Sequence, residues 1–267
     1  MMSLTIDNPA YFARLADVEA AHWWSVGMWR IASLWLDHAL ANRRGLSALD
    51  IGCGAGGTMR RLSTRSEITR VMGLDPSPSA LEHVGDHTVV LGSALHLPFP
   101  DDSFDVATSF DVMQHLPPDG DCEAAAEMRR VLRPGGIAVI RANGRGLWPD
   151  PESTSQAYEL SQLQDVFLSA GFRVRAATYA NCLPAVAAEI AGRWQRPQGS
   201  TPSRLGNPSG RGLRIRPASV SRNRLMGAIA NVEAWLVGRL GQRLPVGHGT
   251  MLLVQNNPAT GPLGGRR

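Results

Sequence analysis

The chain has 267 residues, of which 43% are hydrophobic and 19% are charged, with a formal net charge of +4 at pH 7. This length and composition are typical of one large α/β domain or of such a domain with an insertion. No apolar stretch approaches the ~20 residues that a membrane helix needs. The start MMSLTIDNPA lacks the charged and apolar blocks of a signal peptide. We therefore expect a cytoplasmic chain without a membrane span.

The cysteines and the basic residues exclude further classes. Cys53, Cys122 and Cys182 are widely spaced and form no C-x-x-C pair, so we expect neither a disulfide framework nor a metal site. All 27 basic residues are arginine, and eight of them lie between Glu189 and Glu233 in a stretch without acids. Because that stretch is rich in Gly, Pro and Ser, we interpret it as a solvated mobile loop and do not expect a nucleic-acid partner.

The N-terminal part is predicted to be a helical cap over residues 1–44. Residues 10–41 show apolar positions at helical spacing, and Asn8 with Pro9 provides a helix start. Within this part, HWWSVGMW (residues 22–29) contains three tryptophans.

The next part of the chain alternates between strands and helices. Candidate strands are residues 47–51, 70–75, 88–92, 105–110, 137–142 and 172–179. Candidate helices lie near residues 57–66, 77–84, 121–132 and 156–170. This alternation predicts βαβ units and an α/β fold with a parallel sheet, here assigned to a core of residues 45–183.

Residues 184–247 interrupt this alternation and are interpreted as an insertion that forms a substrate lid. It comprises an apolar helix (184–194), the basic loop (195–221) and an amphipathic helix around 223–240. The stretch GTMLLVQN then supplies a last core strand within residues 248–256, and residues 257–267 are predicted to be a disordered tail.

A glycine-rich stretch, ALDIGCGAGG, follows the first predicted strand and fits two cofactor patterns. Gly52, Gly54 and Gly57 fit the dinucleotide pattern G-x-G-x-x-G. Gly52, Gly54 and Gly56 fit the G-x-G-x-G of S-adenosylmethionine (SAM) enzymes. Both patterns bring backbone N–H groups and a helix dipole to a ligand, so this stretch alone leaves hydride transfer and methyl transfer open.

Two aspartates and two later blocks favour SAM. Asp75 lies about 20 residues beyond the glycines and suits the ribose hydroxyls of either cofactor. Asp50 directly precedes the loop, where a carboxylate repels a pyrophosphate but suits the cationic methionine end of SAM. The later blocks are GSALHLPFPDDSFDV (92–106) and VLRPGG (131–136).

In order and spacing, DIGCGAGG, GLDPSPSAL, LPFPDDSFDVATSFDVMQHL and EMRRVLRPGG resemble the class I SAM-dependent methyltransferases. The resemblance is greatest to the small-molecule branch called type 11 or ubiquinone-biosynthesis-like, and it covers about residues 45–145. It implies a Rossmann-like, mostly parallel seven-stranded sheet with helices on both faces, whose last strand runs antiparallel between its neighbours. It also implies SAM as cofactor and S-adenosylhomocysteine as product.

The resemblance assigns cofactor-binding positions residue by residue. Gly52, Gly54 and Gly56 would line the methionine portion, with Asp50 near its amino group, and Asp75 would take the ribose hydroxyls. Further positions surround the adenine or close the pocket: Pro76 or Ser77 would flank the ring, Ser93 and Ala94 would meet its edge, and Phe110 with Asp111 would close the pocket. The family usually has aspartate where this chain has Ser93. A neutral hydroxyl accepts a weaker hydrogen bond, so we expect looser binding of the same cofactor.

The acceptor pocket is predicted from histidines and aromatic residues. His115 follows the fourth strand and is the candidate general base, although packing is an alternative role for it. The other candidates lie in the cap or before the last strand: Tyr11, His22, Trp23, Trp24, Trp29 and His248. Core packing explains any one of the tryptophans equally well.

These features predict an enzyme that moves a methyl group from SAM to an O, N or C nucleophile by in-line displacement. The expected partner is a partly hydrophobic small molecule, such as a natural-product, quinone or lipid-like intermediate. The alternatives are an RNA or protein methyltransferase that uses the basic loop, a non-catalytic SAM-fold assembly partner and, more distantly, a dehydrogenase. The oligomeric state is left open between a monomer and a homodimer.

Overall fold

The protein is described by a computed structural model that covers residues 7–145, 156–194 and 219–257. Most of the predicted basic loop 195–221 and nearly all of the predicted tail 257–267 therefore lie outside the described residues. Within the described ranges, no helix has the length and apolar character needed to cross a membrane.

The centre of the fold is a seven-stranded sheet. The strands are β1 (Leu46–Ile51), β2 (Ile68–Asp75), β3 (Thr88–Leu91), β4 (Phe104–Phe110), β5 (Leu132–Asn143), β6 (Phe172–Ala180) and β7 (Gly249–Asn256). Their order is β3-β2-β1-β4-β5-β7-β6. The neighbours from β3 to β5 pair in parallel, whereas β7 pairs antiparallel with both β5 and β6. The predicted topology is therefore confirmed.

Helices cover both faces of the sheet. They are α1 (Pro9–Ala21), α2 (Trp23–Ala39), α3 (Gly57–Ser63), α4 (Pro78–Leu81), α5 (Gly120–Val131), α6 (Leu160–Ser169), α7 (Leu183–Trp194) and α8 (Val220–Gly238), with a 3₁₀ turn at Met113–His115. The predicted helical region 10–41 is two helices. It divides at His22, whose backbone is extended and whose Nδ1 accepts the Trp24 backbone N–H at 3.3 Å.

The core follows from the side-chain alternation of the strands. On β5, Ala138 and Ile140 pack in one apolar cluster with residues of α5 and α6. Ile137 and Val139 pack in another cluster with residues of α2 and α8. Since successive side chains of a strand point to opposite faces, an apolar run such as IAVI suits a strand that is buried on both sides.

Helix α8, from the predicted insertion, packs along helix α2 of the predicted cap. A Cβ built on Gly27 would lie 2.6 Å from the Ala230 Cβ, so the two helices touch closely there. The Trp23 backbone N–H also donates to the Asn223 Oδ1 at 2.8 Å. Helices α2 and α8 thus form one helical layer on one face of the sheet, while the domain boundaries inferred from the sequence remain predictions.

Candidate active site

The carboxyl ends of β1, β2 and β4 meet at one edge of the sheet, as parallel strands require. This edge carries the glycine loop after β1, Asp75 at the end of β2 and Phe110 at the end of β4. The φ angles of Gly52, Gly54 and Gly56 are 72°, 52° and 78°. Because an L side chain is strained in this left-handed region, glycine is required for the shape of the loop.

Asp75 ties the glycine loop to the end of β2. Its carboxylate accepts the Gly54 backbone N–H at 3.0 Å and the Ser77 backbone N–H at 2.9 Å. Burial raises the pKa of Asp75, and the two backbone hydrogen bonds act in the opposite direction. Each carboxylate oxygen has a second lone pair, so the two oxygens retain capacity for a ligand diol.

Asp50 is a buried carboxylate below the loop, with a relative exposure of 2%. Its Oδ1 accepts the Thr108 hydroxyl at 2.6 Å. Burial raises the pKa of Asp50 to about 8; the Thr108 hydrogen bond lowers it, and the Glu19 and Asp75 carboxylates raise it further. A bound cation or ammonium group would favour the ionised form.

Helix α1 lies directly on the glycine loop. The Glu19 Oε2 accepts the Gly57 backbone N–H at 3.0 Å. A Cβ built on Gly54 would lie 3.2 Å from the Leu15 Cδ2. Burial raises the pKa of Glu19 to about 7, and the Gly57 N–H and nearby arginines lower it. The predicted cap therefore contacts the loop through specific side chains.

The predicted adenine side is formed by the segments after β2 and β3. Pro76 is exposed, while Ser77 is 1% exposed and caps α4 through its hydroxyl. Ser77 also donates its hydroxyl to the Asp7 Oδ1 at 2.9 Å. Ser93 is exposed and accepts the Leu95 backbone N–H at 3.2 Å, whereas Ala94 is buried. The Ser93 hydroxyl thus stabilises its own turn in the position where the family usually has aspartate.

Phe110 and Asp111, which were predicted to close the cofactor pocket, contact an arginine from the neighbouring strand. Arg141 forms a bidentate ion pair with Asp111 and lies over the Phe110 ring at 4.8 Å. Trp24 covers the same guanidinium at 4.5 Å, and the Trp29 ring meets the Phe110 ring edge-on at 6.5 Å. Two of the predicted pocket tryptophans therefore lie at this edge of the sheet.

The remaining predicted pocket residues are distributed around the cap and the sheet edge. His115 ends the 3₁₀ turn after β4, and exposed His248 immediately precedes β7, with its carbonyl accepting the Gly144 N–H. His22 caps α2, and Trp23 lies at the junction with α8. Tyr11 packs edge-on against Phe12 in α1. In the part of the chain that the structure describes, no cluster of three or more potential ligands is arranged for a metal ion.

A protein family described as a methyltransferase domain matches residues 49–140. This range runs from β1 into β5 and contains the glycine loop together with Asp50 and Asp75. This chain carries a class I SAM-dependent methyltransferase domain.

Relatives of the methyltransferase domain are found in bacteria. An uncharacterised methyltransferase of Mycobacterium avium is 33% identical over 116 residues, which are 41% of this chain and 44% of the relative. The 2-methyl-6-phytyl-1,4-hydroquinone methyltransferase of Synechocystis sp. is 34% identical over 117 residues, which are 39% of this chain and 36% of the relative. The chain thus spans less than half of the length of these relatives.

A solved structure supports the fold of the methyltransferase domain. Phosphoethanolamine N-methyltransferase 2 of Haemonchus contortus, in complex with S-adenosyl-L-methionine, is similar with a TM-score of 0.53 and 19% identity. The likeness covers 84% of this chain and 51% of that chain. At this identity it concerns the fold alone.

The residues of the methyltransferase domain fit SAM. The left-handed glycines give the loop its shape, and the buried Asp50 carboxylate below it suits an ammonium group. The Asp75 carboxylate lies beside the loop at the end of the adjacent strand, a position suited to accept the hydroxyls of a ligand diol. A pyrophosphate in the same place would bring negative charge beside the Asp50 carboxylate.

Three residues at this edge, Glu19, Thr108 and Arg141, were not found from the sequence. Glu19 contacts a residue 38 positions away, and no local pattern marks it among the other polar residues of α1. Thr108 lies in a strand, where threonine is common, so nothing in the sequence marks it as a site residue. Arg141 carried a usable signal, because a single charge follows the apolar run IAVI in a strand buried on both faces.

Proposed function

We propose that this protein transfers the methyl group of SAM to an O, N or C nucleophile of a partly hydrophobic small molecule. The observation that carries the proposal is the buried Asp50 carboxylate beneath a loop of left-handed glycines. A cationic cofactor complements this carboxylate, whereas an anionic dinucleotide does not. Membership of the methyltransferase domain family supports the same donor.

The bound cofactor would supply a methyl group already activated by a positive sulfur. Asp75 would accept the ribose hydroxyls, and Asp50 would balance positive charge at the methionine end. The protein then has to hold the nucleophile in line with the methyl carbon, at about 3 Å. His115, at the end of the 3₁₀ turn that follows β4, is our candidate base for a hydroxyl acceptor. A carbon or neutral amine acceptor needs a base less.

The proposed acceptor class rests on the apolar character of the surrounding helices. Trp24 and Trp29 of α2 contact residues at the carboxyl edge of the sheet, and helix α8 packs behind them. Aromatic walls of this kind favour ring-containing or apolar ligands. The Synechocystis relative is a hydroquinone methyltransferase by name, which agrees with the ubiquinone-biosynthesis-like branch that we propose for this chain.

Cofactor choice is tested by isothermal titration calorimetry with SAM, S-adenosylhomocysteine and NAD. We expect binding of the first two and none of NAD, and we expect Asp50→Asn to weaken SAM binding by about tenfold. Binding of NAD without SAM would overturn the proposal in favour of a dehydrogenase.

The acceptor is tested with methyl-labelled SAM and fractionated small molecules, followed by mass spectrometry. We expect a small-molecule product that carries one labelled methyl group. Labelled RNA or protein would support the alternative that uses the basic loop. SAM binding without transfer to any fraction would indicate a non-catalytic assembly partner. The proposal includes a cytoplasmic location, which cell fractionation measures.

A further inference from the structure

Arg141 at the end of β5 presents an unused pair of hydrogen-bond donors. The residue is 8% exposed, and its Nε donates to the Asp111 Oδ1 at 3.1 Å while Nη2 donates to Oδ2. The hydrogen bonds of the Arg141 side chain to the described residues come from Nε and Nη2, and Nη1 makes none of them. A guanidinium has no acceptor capacity of its own, so its two Nη1–H groups can be satisfied only by a ligand or water.

Aromatic rings hold this guanidinium in place. The Trp24 ring lies 4.5 Å and the Phe110 ring 4.8 Å from the Arg141 Cζ, and the Asp111 carboxylate occupies one edge of the guanidinium. The free edge with Nη1 therefore has a defined direction. A donor pair that is already ordered loses little entropy when it binds an anion.

The Arg141 guanidinium and the Asp50 carboxylate share one face of the sheet. Asp50 pairs in register with Thr108, and Arg141 pairs with Phe110 two residues further along the same strand β4. Adjacent strands are about 4.8 Å apart, and the guanidinium reaches back toward β4 to meet Asp111. The Arg141 charge accordingly lowers the pKa of Asp50.

We propose that Nη1 of Arg141 binds a carboxylate group in this site. This assignment rests on the proposed function, because it assumes a ligand that carries an amino-acid group. Asp50 would complement the ammonium group of that ligand, and Arg141 would complement its carboxylate. The carboxylate could belong to the methionine portion of SAM or to the acceptor. The protein's own carboxylates in this region have other partners. Glu19 accepts the Gly57 backbone N–H, and the two Asp111 oxygens accept Nε and Nη2 of Arg141.

Two matched variants test the contribution of the Nη1 edge of the Arg141 guanidinium. Asp111→Asn removes the ion pair but keeps the guanidinium, and asparagine tolerates the φ of +60° at this position. The double variant D111N/R141M also removes the guanidinium without leaving a buried charge unpaired. If the double variant fails to fold, Arg141→Lys replaces it, because it keeps the charge beside Asp111 and lacks Nη1.

The first measurement compares S-adenosylhomocysteine with methylthioadenosine, which lacks the amino-acid part. If the carboxylate belongs to the cofactor, the double variant binds S-adenosylhomocysteine at least tenfold more weakly than D111N does. Both variants then bind methylthioadenosine equally. This result would support the proposal and assign the cofactor as the source.

The second measurement titrates benzoate into each variant saturated with S-adenosylhomocysteine. If the carboxylate belongs to the acceptor, D111N binds benzoate and the double variant does not, while S-adenosylhomocysteine affinity is equal. Equal binding of every probe by the two variants would overturn the assignment of Arg141. A wild-type protein that binds neither SAM nor S-adenosylhomocysteine would instead contradict the proposed function.

Discussion

The Asp75 carboxylate accepts the Gly54 backbone N–H at 3.0 Å and so joins the end of β2 to the glycine loop after β1. Its other oxygen accepts the Ser77 backbone N–H at 2.9 Å. The residue predicted to bind the ribose therefore also determines the position of the loop. Loop geometry and cofactor affinity should change together when Asp75 is replaced.

We expect Asp75→Asn to reduce both stability and SAM binding. The amide keeps one acceptor oxygen but turns its NH₂ group toward a backbone donor, which leaves one buried N–H unsatisfied. The expected loss is about 1–3 kcal/mol in the free energy of unfolding and at least tenfold in affinity. Urea denaturation and calorimetry measure the two quantities, and a variant with unchanged stability would contradict the structural role of Asp75.

Gly52→Ala should be far more damaging than Gly45→Ala, although both glycines have similar left-handed backbones. Their φ values are 72° and 69°. A Cβ on Gly52 would lie 2.3 Å from the Val112 Cγ2, whereas a Cβ on Gly45 meets nothing within 4 Å. We expect G45A to cost only the backbone strain of about 1–2 kcal/mol. G52A should cost more and abolish SAM binding, and equal melting temperatures of the two variants would refute the steric argument.

The ligand-free protein should lose stability as the pH rises from about 4 to about 8. Burial raises the pKa of Glu19 to about 7 and that of Asp50 to about 8. Because both values are raised in the folded protein, ionisation is easier in the unfolded chain. The stabilising contribution is therefore complete below about pH 4, falls as the pH rises, and is lost once the pH has passed about 7 for Glu19 and about 8 for Asp50.

Melting temperatures across this pH range measure the effect in the wild type and in Asp50→Asn and Glu19→Gln. Each variant removes one titrating carboxyl, so the decline in stability should be shallower than in the wild type. SAM should also reduce the decline, because a cation favours the ionised carboxylates. Identical pH profiles for wild type and both variants would show that other groups cause the decline.

Glu233 should be essential for the attachment of α8. Its side chain is fully buried and accepts the Asn181 and Leu183 backbone N–H groups at the start of α7, the latter at 2.7 Å. Glu233→Ala leaves both donors without a partner, which should cost about 2–4 kcal/mol of unfolding free energy. The exposed Glu123→Ala is the control, with an expected change within about 0.5 kcal/mol. Comparable effects of the two substitutions would contradict this role of Glu233.

Much of the fold could be predicted from local sequence patterns. Apolar runs bounded by glycine turns identified the strands because a strand buried on both faces has little polar alternation. The boundary of β5 was less accurate: the strand begins at Leu132, where Phe104 pairs with it, before the predicted Pro-Gly-Gly turn. The packing of α8 on α2 through Gly27 and Ala230 had no sequence signal, because it depends on close contact between distant segments.

The methyltransferase-domain motifs, the glycine loop, Asp50 and Asp75 were all recognisable before the fold was known. These residues are recognisable because the loop needs left-handed glycines and the acids follow adjacent strands at set distances along the chain. The contact of Glu19 with Gly57 and the pairing of Arg141 with Asp111 became visible in the folded chain alone. Those contacts join residues 38 and 30 positions apart. Strand register and helix packing bring them together, and neither is encoded in the local periodicity of either segment.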